Sequence, residues 1–456
     1  MFDLHVILIF SKRGDSVDEH KETIEIKEFD SLICKKEYED NRKRYISEEQ
    51  FNSIIAIIEE LSTVEDGANV LDFLSITWRK NIGKVITLKN FVGLIQLPKR
   101  CSIQVLPKID LACGDCEDNR KTKEIFISMI RSMKDFQGKA FNKAFLAADR
   151  MNLYEVFISM YLQGVRSVVQ KGLKSSYLLK EDNLRFYKGK LLVNNHIKNN
   201  FTHKERFYVV FDEFQINRPE NRLIKATLLE LRMRTTSLLN SREIRQLLAA
   251  FEGVEPSVNY ENDFAKTIID RNTKDYVELL QWSKIFLMKK SFTMFSGIVN
   301  ARAILFPMEK VFESYVAREI SKVFTVKDGW CVLTQNEEKY LFTEPKKKFG
   351  LRPDIVLKNS SKVVIMDTKW KRLNIKEHNY GISTEDMYQM YVYSKSYETR
   401  FIWLLYPQVK DLKNTKIYYK TFDDTEIRAF FVNLEHIKTS IAELKRIVES
   451  HIQSPV

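Results

Sequence analysis

The chain has 456 residues, with 73 Lys and Arg against 61 Asp and Glu and a formal net charge of +12 at pH 7. At 44% hydrophobic and 12% aromatic it has the composition of a folded globular protein, which excludes a mainly disordered chain, and its length suits two or three domains. No apolar run reaches the roughly 18 residues of a membrane-spanning helix, so no membrane role is expected, and the basic balance favours a polyanionic partner.

The opening Met1-Phe2-Asp3-Leu4-His5-Val6-Ile7-Leu8-Ile9-Phe10 carries Asp3 and lacks a basic start, so it reads as a strand rather than a signal peptide. Up to about residue 120 the pattern is strand-rich, with one helix from Ser47 to Leu61 and a hairpin from Phe91 to Ile109 turning through Pro98-Lys99-Arg100-Cys101. Five cysteines scattered over a long chain point to reduced thiols and a cytoplasmic setting. Cys113-Gly114-Asp115-Cys116 has zinc-knuckle spacing but no second pair nearby, and reads as a bare turn. Residues 121–300 are mainly helical, with apolar stripes such as Val156, Met160, Tyr161 and Val165. A strand pair, Asn183 to Phe186 and Lys190 to Val193, interrupts them. No Gly-rich loop ending in Lys-Ser or Lys-Thr occurs, so any nucleotide hydrolysis must belong to a partner.

Residues 301–456 read helix, strands, helix, strand, an α/β (α+β) pattern of a mixed sheet flanked by helices. Met308, Val311, Phe312, Tyr315, Val316 and Ile320 stripe the first helix, and Glu385 to Ser396 is the second. Two strands are expected near Trp330 to Leu333 and Lys339 to Phe342, and a buried one at Arg400 to Leu405. Between them lie Leu351-Arg352-Pro353-Asp354-Ile355-Val356-Leu357 and Val363-Val364-Ile365-Met366-Asp367-Thr368-Lys369-Trp370-Lys371. A hairpin symmetric about Ser360 and Ser361 sets Asp354 across from Asp367, side chains about 5 Å apart. The period of two adds Lys369 to the same face. Facing carboxylates repel unless a cation lies between them, so two acids and a lysine at one spot predict a hard-metal site that attacks a phosphodiester. Asp354 and Asp367 would bind Mg²⁺, with Mn²⁺ an acceptable substitute, and Lys369 would hold or activate the attacking water. Glu313, on the first helix, is a candidate further ligand, the other reading being a solvated helix-edge carboxylate. Lys346, Lys347 and Lys348 precede the first acidic strand and Lys371 and Arg372 follow the second. With Arg352 they are the expected contacts to the phosphates of double-stranded DNA.

Pro353-Asp354 with Asp367-Thr368-Lys369 resembles the PD-(D/E)xK nuclease signature. That resemblance implies the Thr368 main-chain carbonyl as a third metal ligand. Gln389 and Tyr393 match the Gln-x-x-x-Tyr element of RecB-like nucleases, whose helix packs beside the metal and touches substrate. Several segments together resemble the McrC family. They are Gly93-Leu94-Ile95-Gln96-Leu97, Leu106-Pro107-Lys108-Ile109, Lys188-Gly189-Lys190-Leu191 and Asn217-Arg218-Pro219-Glu220-Asn221-Arg222-Leu223, then Met308 to Glu313, Arg352 to Asp354, Asp367 to Lys371, Asp386 to Met390 and Leu405-Tyr406-Pro407. The resemblance implies an endonuclease subunit acting with McrB, a hexameric AAA+ GTPase that reads DNA, commonly modified cytosine. Residues 1–120 would dock onto that ring and stimulate it, residues 301–456 would cut, and pairing of two copies would serve double-strand cleavage. Alternatives are a subunit of a multi-subunit type II system with an unmodified target, a RecB-like repair nuclease, and a non-catalytic adaptor of a ring NTPase.

Overall fold

The computed structural model describes residues 7–9, 23–62, 74–96, 102–109, 115–133, 153–268, 274–287, 302–359, 362–412 and 415–453. The turns expected at Pro98 to Cys101, Cys113 to Cys116 and Ser360-Ser361 fall on or run into residues outside this set. The architecture is mixed α/β, as expected, and divides into two compact units, Met1–Gln137 with Lys289–Val456, and Gly138–Met288.

In the first unit a five-stranded sheet runs in the order Ile7–Ile9, Arg302–Pro307, Phe91–Gln96, Ser102–Leu106, Thr23–Lys27. The hairpin expected between Phe91 and Ile109 is present, with Gly93 opposite Val105. Its other edge pairs with Arg302–Pro307, where Gly93 faces Leu305. Gly93 has φ +148°, and a Cβ there would stand 2.0 Å from the Ile304 carbonyl oxygen, so only glycine allows the two strands to close. The expected boundary at residue 301 therefore falls just before a strand of the sheet that the N-terminal segments build. A second sheet, Lys43–Tyr45, Ser31–Ile33, Gly83–Leu88, Leu74–Arg79, shares a core with the first: Leu32 and Ile86 meet Ile103, Val105 and Leu305, together with Phe51 and Ile54 of helix Glu48–Ser62.

The C-terminal part of the same unit holds a six-stranded mixed sheet. Its order is Cys331–Thr334, Ile355–Lys358, Val363–Thr368, Phe401–Pro407, Glu426–Val432, Tyr418–Lys420. Val363–Thr368 is antiparallel to Ile355–Lys358 and parallel to Phe401–Pro407. Such a central strand is covered on both faces, which is why Val364, Ile365 and Met366 are all fully buried. Helix Thr384–Ser396 covers one face, where Val356, Ile365, Ile402 and Leu404 pack with Met390 and Tyr393. Helix Met308–Val323 packs on Val363–Thr368, and helix Ile437–Gln453 on both Met308–Val323 and Glu426–Val432.

The second unit is helical, with Leu153–Lys171, Pro219–Arg234, Leu238–Ala250 and Lys274–Leu287 as its main helices. The strand pair expected at 183–193 is not a hairpin. Ser176–Leu184 and Lys190–Leu191 each pair with Phe207–Gln215, which lies between them. Gly189, at φ +73°, brings the chain so close to that central strand that a Cβ would lie 2.3 Å from the Val210 carbonyl oxygen. The sheet leaves Tyr177 and Phe214 exposed, their rings in edge contact at 5.5 Å. No helix among the described residues is long and apolar enough to cross a membrane, and Cys34 and Cys331 are free thiols.

Candidate active site

The hairpin fixes the centre. Ile355 pairs with Met366 and Val356 with Ile365, the register expected from symmetry about Ser360 and Ser361, and Asn359 and Lys362 close it by exchanging backbone hydrogen bonds of 2.9 and 3.3 Å. The next step of this ladder sets Asp354 against Asp367. Because Val356 and Ile365 face helix Thr384–Ser396, the period of two turns Asp354, Asp367 and Lys369 toward the same helix.

The structure brings together most of the expected residues. One oxygen of Asp354 accepts hydrogen bonds from the Thr368 backbone N–H and hydroxyl, both at 2.7 Å. Asp367, 2% exposed, pairs with Lys369 Nζ at 2.9 Å. The same Nζ lies 3.4 Å from Asp386 and donates to Gln389 Oε1 at 3.1 Å. Gln389 Nε2 in turn contacts the Tyr393 hydroxyl at 2.8 Å. Ser383 caps the helix by accepting from the Asp386 N–H, which fixes Asp386, Gln389 and Tyr393 on one face. Glu313, on helix Met308–Val323, accepts from the Gln335 side chain. Its carboxylate acts on Asp354 through space.

The electrostatics follow from burial. Desolvation, then the neighbouring Glu313 carboxylate, pushes the Asp354 carboxyl above the ordinary carboxylate range. Desolvation and then Asp354 push Asp367 up as well, Lys369 notwithstanding. Burial opposes the Lys369 charge, but Asp367 and then Asp386 outweigh it and hold the ammonium above the usual lysine range. Burial, with Asp367 next, lifts the Tyr393 hydroxyl to about 12. Neighbouring acids this reluctant to ionise are what a cation would relieve.

Among the described residues no three His, Cys, Asp or Glu side chains form a ready-made metal cage. A Mg²⁺ site needs only one or two carboxylates, with water and substrate phosphate completing the shell. Asp354 and Asp367 fit that requirement, with Glu313 within electrostatic reach. The centre lies in a cleft of about 1070 Å³ that Arg352, Lys371 and Arg372 also line, with Arg42, Lys108 and Lys310. Arg352 is tied to Gln335 and to Glu337. Lys346, Lys347 and Lys348 do not line the cleft. They are exposed on a separate two-stranded hairpin, Lys339–Phe342 with Lys348–Leu351, where Lys347 sits 5.5 Å above the Tyr340 ring.

Three partners of the site are not among the site residues expected from the sequence. Asp386 carried a signal, its spacing of three from Gln389 on the same helix. Gln335 and Glu28 carried none: Glu28 meets Trp370 across 342 positions.

Comparison with known proteins places the family and the fold. Residues 86–407 match the family model described as McrBC 5-methylcytosine restriction system component. A chain of the refined half-complex from a tetradecameric assembly of Thermococcus gammatolerans McrB AAA+ hexamers with bound McrC is similar over 93% of this chain and 100% of its own. The TM-score is 0.69 at 19% identity. A chain of the Thermococcus gammatolerans McrBC complex is similar over 67% of this chain and 90% of its own, with a TM-score of 0.50 at 20% identity. No curated protein sequence matches. With most of its length matched by the family model and its fold shared with the McrBC assemblies, the chain belongs to the McrBC 5-methylcytosine restriction system component family.

Proposed function

We propose that this chain is an McrC-type subunit, the Mg²⁺-dependent DNA endonuclease of a McrBC-like restriction system, working with an AAA+ GTPase partner that reads DNA. The observation that carries the reading is the convergence of half-buried Asp354 and buried Asp367 at the open end of one hairpin, with Lys369 paired to Asp367 at 2.9 Å. Asp354 and Asp367, with the Thr368 main-chain carbonyl and Glu313 alongside, would hold the ion. Bound there, the ion supplies Lewis-acid polarisation of the phosphate and a lowered pKa for water. Lys369 orients the attacking water and offsets the extra negative charge of the transition state. Gln389 and Asp386 hold Lys369 in place, and Tyr393 buttresses Gln389. Arg352, Lys371 and Arg372 contact backbone phosphates at the cleft, and Lys346, Lys347 and Lys348 do so further out. The partner reading rests on the family and on the structural neighbour of Thermococcus gammatolerans, an assembly of McrB AAA+ hexamers with bound McrC.

The test is cleavage of modified plasmid DNA by the chain with its cognate ring GTPase, GTP and Mg²⁺. Asp354→Ala and Asp367→Ala should each abolish cutting while leaving complex formation intact. Cleavage at the wild-type rate by either variant would sink the assignment.

A further inference from the structure

Trp370 follows Lys369 directly, yet its indole faces away from the nuclease sheet's helix Thr384–Ser396 and toward the N-terminal sheets. Its N–H donates to both carboxylate oxygens of Glu28, at 3.1 and 3.2 Å. Glu28 is fully buried and Trp370 only 8% exposed. Glu28 is anchored in turn where the two N-terminal sheets meet. Its own N–H donates to the Leu106 carbonyl at 2.9 Å, the next residue's N–H donates to Leu88 at 2.7 Å, and its carboxylate accepts from the Lys108 N–H at 3.2 Å. Both donors are N–H groups, so an acceptor-only carboxylate suits the place, and an amide would turn its own N–H₂ toward one of them.

The other end of the contact is equally constrained. The Lys369 N–H is tied to the Leu405 carbonyl, and the Lys371 N–H returns to the Lys369 carbonyl, both at 2.9 Å. Trp370 is thus the apex of a three-residue turn that begins at Lys369. Its ring packs on Phe312 at 5.3 Å, the residue next to Glu313. A shift of the indole would move the backbone that carries Lys369 and the helix turn that carries Glu313.

We infer that Glu28 and Trp370 are a pair of positioning residues through which the N-terminal sheets set the placement of Lys369 at the cutting centre. The inference rests on the proposed nuclease reading. It makes the segment before residue 110 part of the machinery of cleavage, whatever else it docks to.

The experiment uses the full chain with its cognate ring GTPase, Mg²⁺, GTP and plasmid DNA. Trp370→Phe keeps the ring against Phe312 and removes the N–H; Glu28→Gln keeps the shape and removes one acceptor. Each should lower kcat for DNA cleavage by about tenfold to a hundredfold, the usual cost of misplacing a reacting group by a fraction of an ångström to one ångström. KM for DNA and the partner's GTP turnover should stay at wild-type values. The double variant should be no slower than the slower single one, because both remove the same contact. Trp370→Phe carries the test if Glu28→Gln lowers the melting temperature too far to assay. Wild-type kcat in Trp370→Phe, losses confined to KM, or single losses that multiply in the double variant would each overturn the inference. Failure of the wild type to cut, or cutting by Lys369→Ala at the wild-type rate, would instead remove the nuclease reading beneath it.

Discussion

Asp367→Asn replaces a carboxylate by an amide of the same shape at a position that is 2% exposed. In chelator-treated protein at pH 8 the wild type must ionise this group inside the fold, against burial and against Asp354, with Lys369 as compensation. A carboxyl in such surroundings costs on the order of 2–4 kcal/mol when fully ionised, at about 1.4 kcal/mol per tenfold change in its acidity. The direction is set by the raised folded pKa. Stability from the protonated form is fully present below the unfolded value, roughly pH 4, and is lost as pH rises through the folded one. Asn keeps the neutral state at every pH and forgoes about 1 kcal/mol of attraction to Lys369. In urea denaturation without metal, Asp367→Asn should therefore exceed the wild type by about 1–3 kcal/mol at pH 8, and the two should converge only toward about pH 4. Saturating Mg²⁺ should then raise the wild type alone, by about 2.7 kcal/mol at a hundredfold excess over its dissociation constant. If the metal-free variant is the less stable protein at pH 8, and both respond to Mg²⁺ alike, Asp367 is an ordinary structural acid and the cation argument fails.

Lys369→Ala should slow cleavage by a large factor, on the order of a hundredfold or more, with little change in DNA affinity, since its work is done in the transition state; a variant that cuts normally once DNA is saturating would reduce the lysine to a phosphate anchor. The purified chain alone should neither bind nor turn over GTP or ATP, and isothermal titration together with a phosphate-release assay would expose any nucleotide site. A fragment covering residues 1–307, which retains the strand Arg302–Pro307, should stimulate the cognate ring GTPase without cutting, whereas residues 308–456 should not. The reverse result, read as GTP turnover with each fragment in excess, would move the activating surface onto the nuclease sheet.

The acidic hairpin was legible because its information is local. Two apolar runs of period two, a polar turn and matched acids define a register with one solution, and the same holds for the hairpin around Gly93, whereas the role of the Gln389–Tyr393 face stands on the resemblance to RecB-like nucleases. The strand pair at 183–193 misled because adjacency in sequence suggested a hairpin. The partner of both segments, Phe207–Gln215, arrives later in the chain, and nothing local announces a third strand. The lysine run at 346–348 likewise reads the same whether it borders the cleft or, as found, an outlying hairpin. Glu28 was invisible for a further reason: a single acid after a strand acquires meaning only when a distant indole is set against it.

Arg302–Pro307 has a consequence for the newly made chain. The strand that flanks Phe91–Gln96 is synthesised some two hundred residues after it, beyond the whole of Gly138–Met288. Closing so long a span delays pairing more than it weakens it. Until then Phe91–Gln96 is an open edge, prone to stray association. A ribosome that stops early thus releases a product whose first sheet is unfinished, and that product also lacks Asp354, Asp367 and Lys369. Completion of the first sheet and appearance of the acidic centre fall in the same stretch of synthesis. A partial product would therefore present an open sheet edge for proteolysis and none of the acidic centre's residues.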